Sequence, residues 1–145
     1  MADIKHTFTI QAPAALVFAA LTEQGGLASW WTEQTTAETG LGGRMIFDFG
    51  ERYHNTMTVV DLAADERIAW FVDEAHPEWV GTVITFDLEP DGDVTRLRFG
   101  HRDWRESNDF FASCNYQWGR YMESLKRYCE TGVGNPWLAK DEILD

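Results

Sequence analysis

Residues 107–131 read SNDFFASCNYQWGRYMESLKRYCET, and the reading of this stretch decides the fold. Phe110, Phe111, Cys114, Trp118, Tyr121, Met122, Leu125 and Tyr128 recur at spacings of three and four, the period of a helix with one apolar face. Gly132, Gly134 and Pro136 end the helix. Just before it, Thr95, Leu97, Phe99 and His101 alternate with Arg96 and Arg98, the period of a strand. A long aromatic helix after a run of strands predicts a curved sheet gripping one helix, with room for a cavity between them.

Further toward the N-terminus the signals are short and regular. Ile4, Phe8 and Ile10 alternate with polar residues, with His6 on the inward side. Pro13 suits the first turn of a helix over 14–21, whose buried face would hold Leu16, Val17, Ala20 and Leu21. Gly25-Gly26 should break that helix, and residues 27–31 read as a second short one ending in Trp30-Trp31. Strand patterns follow over 35–39, 44–49, 53–62, 67–72 and 82–88. They are separated by turn residues such as Gly40-Leu-Gly-Gly43 and Pro90-Asp-Gly-Asp93. Connections this short join antiparallel neighbours. The expected fold is α+β: an antiparallel sheet of six or seven strands, two short helices after the first strand, and one long C-terminal helix.

At 145 residues one domain is expected, spanning 1–132, with a short tail over 133–145. That tail should fold back, since Trp137, Leu138, Ile143 and Leu144 are disfavoured as an exposed apolar patch. Acids outnumber bases 24 to 12, for a formal charge of −12. This argues against nucleic acid and against anionic membrane surfaces, both of which need clustered Lys and Arg. No apolar run is long enough to span a bilayer, so no membrane insertion is expected. Cys114 and Cys129 lie on one helix, too far apart to pair, and reduced thiols fit a cytoplasmic protein. The start Met1-Ala-Asp-Ile-Lys, with no signal peptide before the first strand, fits that location too.

Chemistry-bearing motifs are sparse. His101-Arg102-Asp103 matches the first letters of a kinase catalytic loop, but the glycine loop that covers nucleotide phosphates is missing. His6, His54, His76 and His101 are too scattered for a metal site, so neither metal nor cofactor is expected. No carboxylate dyad stands out, and no catalytic residue is assigned. Glu123 and Arg127 should form a surface pair on the long helix. His101 is expected to be satisfied by a backbone group near Asp103. Aromatics supply the stronger signal, with seven Trp in the chain. Trp30, Trp31, Met45, Phe47, Trp70, Phe86 and Phe99 from the first half and the strands, with Cys114, Trp118 and Met122 from the helix, are the expected walls of an apolar cavity. His101, Tyr53, Gln117 and Asn115 are its candidate polar handles.

The order of motifs resembles a known superfamily. Ile10-Gln-Ala-Pro13 leading into Leu16-Val-Phe18 is similar to the opening of helix-grip domains, which include lipid-transfer START domains, the birch-pollen-allergen fold and polyketide cyclases. Ser29-Trp-Trp31, Gly42-Gly-Arg44, Leu88-Glu-Pro90 with Thr95-Arg-Leu97, His101, and Trp118-Gly-Arg-Tyr-Met-Glu-Ser-Leu125 narrow it further. Together they resemble the family named after the activator of the heat-shock-protein-90 ATPase, from Ile4 to about Glu130. The resemblance implies binding of a hydrophobic small molecule or lipid in a cavity. Two alternatives follow from it: a cyclase- or hydrolase-like enzyme using His101 or Tyr53, and a cochaperone-like module that binds a chaperone partner.

Overall fold

The computed structural model describes residues 1–141. Seven strands form one antiparallel sheet: β1 (Ala2–Ile10), β2 (Gln34–Ala37), β3 (Arg44–Phe49), β4 (Tyr53–Ala63), β5 (Arg67–Glu74), β6 (Val83–Asp91) and β7 (Val94–Trp104). Their spatial order is β1-β7-β6-β5-β4-β3-β2, so β2 to β7 is a meander and β1 returns to flank the last strand. α1 (Ala14–Thr22), α2 (Gln24–Trp30) and α3 (Asp109–Thr131) complete the α+β helix-grip fold. Alternation sets the inward face: Met45 and Phe47, Met57 and Val59, Ile68, Trp70 and Val72, Ile84, Phe86 and Leu88, Leu97 and Phe99 are all buried. Register shifts in the β4–β5 pairing, at Asp73 of β5 opposite Thr56 and Met57 and at Val60 of β4 between Val59 and Asp61, mark bulges that bend the sheet.

Several local expectations need correction. The break between the first two helices is at Glu23, whose backbone is extended (φ −89°, ψ 140°). Gly25 and Gly26 lie inside α2 instead. Gly26 is there for closeness, since a Cβ would sit 2.8 Å from Ala20 Cα. Pro13 caps α1 from outside rather than occupying its first turn. Leu16 is 45% exposed, and Ala14 takes its place beside Val17, Ala20 and Leu21 on the buried face. β7 continues past His101 to Trp104, which is fully buried.

Asn108 caps α3, its side-chain oxygen accepting from Phe111 N at 3.0 Å. Gly132 closes the other end at φ +87°, a left-handed conformation that favours glycine. On the surface of α3 the i,i+4 ion pair is Lys126–Glu130 at 2.8 Å, and no Glu123–Arg127 pair forms among the described residues. Lys126 Nζ also donates to Thr9 O, and Glu130 accepts from Gln11 N, tying the helix to the end of β1.

Beyond α3 the chain runs back across the domain. Asn135 N donates to Ser124 Oγ, which itself donates to Trp30 O at 2.8 Å. Trp137 N donates to Trp31 O, and Trp137 O accepts from Glu33 N. Ile143 and Leu144 lie outside the described residues.

Candidate functional site

α3 packs against β1, α1 and α2, toward one side of the sheet. On the other side a groove of about 820 Å³ opens between the helix and the β3–β4 end of the sheet. Phe110, Ser113, Cys114, Gln117, Trp118 and Tyr121 line it from α3 at spacings of three and four, a single helical face. Phe49, Arg52 and Tyr53 come from the β3–β4 hairpin, His76 and Trp79 from the β5–β6 loop, and Pro136 and Trp137 from the returning tail. Trp31 and Asn55 also line it, and both are buried.

The β5–β6 wall is clamped rather than loose. Arg105 donates to Pro77 O and Asn108 Nδ2 to Glu78, both at 2.6 Å. The His76 ring stacks on Phe110 with centroids 4.0 Å apart. Trp79 stacks on Trp118 at 5.9 Å, its indole N–H buried without an oxygen or nitrogen acceptor and facing the weakly accepting Cys114 sulfur.

Of the expected cavity residues, the structure brings Trp31, Tyr53, Cys114 and Trp118 to this groove. Tyr53 stands at its exposed rim. Gln117 lines it too, its side-chain oxygen engaged by Arg120 at 3.2 Å. Trp30, Met45, Phe47, Trp70, Phe86, Phe99, His101 and Met122 do not line it. They fill the space between sheet and helices with protein atoms. Trp31 stacks between Trp30 and Trp70, each at 5.9 Å and 12°, and Phe86 sits edge-on to Trp70 at 4.9 Å. Asn115 is exposed and lies outside the groove.

His101 is held by side chains, not by a backbone group near Asp103. Trp118 Nε1 donates to its Nδ1 at 3.0 Å, so that nitrogen carries no proton. Nε2 is then the protonated one and donates to Thr82 Oγ1 at 2.8 Å, while that hydroxyl donates to Trp79 O. Burial lowers the imidazole pKa from 6.5 to about 3, leaving it neutral at all ordinary pH. Fully buried and ringed by Trp79, Trp104 and Trp118, it joins Thr82 to Trp118 of α3 through its two hydrogen bonds. Burial likewise raises the Cys114 thiol, and pushes Cys129 up to about 12, so neither is a poised nucleophile.

Sequence reasoning passed over Phe49, Asn55, His76, Trp79, Phe110 and Trp137 as lining residues. Asn55 had a signal: it is a polar residue at an inward position of a strand, between Tyr53 and Met57. His76 and Trp79 sit on a loop, where no periodicity reports orientation.

Comparison with known proteins agrees with this architecture. The solution structure of the Aha1 dimer from Colwellia psychrerythraea superposes with a TM-score of 0.83 at 34% identity, covering 92% of this chain and 100% of that one. A protein from Staphylococcus saprophyticus gives 0.76 at 18% identity, with 95% and 99% covered. CalU16 from Micromonospora echinospora gives 0.75 at 15% identity, with 92% and 76% covered. The last two share the fold alone. No curated protein matches the chain. The family profile described as Activator of Hsp90 ATPase homolog 1-like protein matches residues 11–130. With that match spanning most of the domain, the chain belongs to the Activator of Hsp90 ATPase homolog 1-like family.

Proposed function

We propose that this protein binds a hydrophobic small molecule in the groove between α3 and the β3–β4 side of the sheet. The observation that carries the reading is the groove itself: about 820 Å³ bordered by indole and phenyl rings beside the buried aromatic core. That volume falls in the range of roughly 300–1,000 Å³ usual for small-molecule sites. Members of this fold commonly bind hydrophobic ligands, which supports the same reading. Binding would be driven by removing the ligand's apolar surface, and that of the lining rings, from water. Arg120 and Glu123 at the groove offer polar contacts for whatever part of the ligand stays wet.

Ser113 offers a clean test because it is exposed and lines the groove without belonging to the core. N-phenyl-1-naphthylamine, a neutral probe that fluoresces on leaving water, should bind the wild type with a Kd on the order of 1–10 µM. Ser113→Trp should weaken that binding about tenfold or more by occupying the space, with unfolding free energy changed by no more than about 0.5 kcal/mol. Probe affinity unaffected by a stably folded Ser113→Trp would place binding elsewhere and overturn the proposal.

A further inference from the structure

Resting on the binding reading above, the groove carries one polar feature that selects among apolar ligands. Inward positions along β4 run Tyr53, Asn55, Met57 and Val59. Asn55 is only 6% exposed, yet it is one of the residues the groove reaches. Its Nδ2 donates to Phe47 O at 3.0 Å, across the β3–β4 ladder where Phe47 and Asn55 are directly paired. That bond sets which way the amide points, because a carbonyl can accept only from the NH2 end. With the amide so oriented, Oδ1 accepts no hydrogen bond among the described residues and is an acceptor Asn55 can offer to a ligand.

The other buried polar side chains lie away from the groove. Thr32, Thr35, Thr82, Thr95 and Ser124 each donate to a backbone carbonyl, Thr56 Oγ1 meets His54 Nε2 at 3.3 Å, and both nitrogens of His101 are engaged. Asn55 is the one among them that lines the groove, whose walls also include the Trp31 and Trp118 rings. Covering such an acceptor with a group that cannot donate forfeits a hydrogen bond and leaves a desolvated oxygen.

We propose that Asn55 Oδ1 is the specificity-determining contact of the groove, and that the ligand is a neutral apolar or aromatic molecule whose buried end carries a hydrogen-bond donor, a hydroxyl or an N–H.

The test is isothermal titration calorimetry of 2-naphthol against 2-methoxynaphthalene, which keeps the rings and the oxygen but removes the donor. On the wild-type protein 2-naphthol should bind roughly fivefold to thirtyfold tighter. In Asn55→Leu, close to isosteric, that ratio should collapse to about twofold or less. Equal affinities of the two compounds for the wild type would overturn this inference while leaving apolar binding intact. A ratio that survives in a folded Asn55→Leu would assign the donor contact to another residue and also overturn it. Binding of neither compound would remove the binding reading and this inference with it. The wild-type comparison stands by itself should Asn55→Leu fail to fold.

Discussion

Trp31→Ala is expected to lower the free energy of unfolding by about 3–5 kcal/mol. Trp31 is the last residue before the chain leaves the α2 corner, and it is only 2% exposed. Its ring lies 4.4 Å from Phe47, 5.0 Å from Trp118, 5.6 Å from Phe49 and 5.9 Å from both Trp30 and Trp70. No other side chain touches α2, the sheet and α3 through so many rings at once. Truncation to Ala loses the transfer energy of an indole and opens a void that five fixed rings cannot close. Urea denaturation followed by circular dichroism measures the effect. A loss under about 1 kcal/mol would mean that the ring is a compliant groove wall rather than part of the packed interior.

The second large effect is on acid stability. The folded His101 imidazole stays neutral, with a pKa of about 3, because burial penalises its cation. In the unfolded chain it protonates near pH 6.5. Between those values the unfolded state binds a proton that the folded state does not, so the contribution of this residue is complete above pH 6.5 and is lost as the pH falls toward 3. Its slope approaches about 1.4 kcal/mol per pH unit in that window. The rings around it, Trp79, Trp104 and Trp118, and the Thr82 hydroxyl do not titrate there. His101→Phe should therefore be less stable at pH 7, because Trp118 Nε1 and Thr82 Oγ1 lose their partner, yet should show a shallower decline on acidification. Unfolding free energies of both proteins at pH 7, 6, 5 and 4 test this. Parallel pH curves would contradict the buried neutral imidazole.

Alternation made the sheet readable. Large apolar side chains recur at every second position, so one pattern reports both the existence of a strand and its inward face, as with Ile68, Trp70 and Val72 in β5 and Leu97 and Phe99 in β7. The same rule separated Arg96 and Arg98 from Leu97 and Phe99 without any knowledge of partners. Where tertiary contact overrides local preference, reading failed. Gly25-Gly26 looks like a helix break, but Gly26 is needed for close approach to Ala20 inside a helix. Leu16 looks like a core residue, but α1 buries only a narrow face, and Ala14 suits the close packing better.

The candidate site was legible only in part, for a geometric reason. An inward aromatic can either fill the interior or line a cavity, and alternation does not distinguish the two. Phe47, Trp70, Phe86 and Phe99 fill; Trp31 and Trp118, identical in type, do both. The difference comes from where α3 lies on the sheet. Because it sits toward β1, the rings beneath it are sealed and those on its far flank are left bordering open space. Trp79 and Trp137 join from a loop and from the tail, where sequence period carries no orientation.

The most direct test uses the indole N–H signals as reporters in a nitrogen–proton correlation spectrum titrated with N-phenyl-1-naphthylamine. Ring placement predicts that the Trp31, Trp79, Trp118 and Trp137 signals shift with one saturating dependence on probe concentration. Those of Trp30, Trp70 and Trp104, enclosed in the packed interior, should stay in place. A spectrum in which the enclosed indoles move and the groove indoles do not, or in which no indole moves, would contradict the assignment of this groove as the binding site.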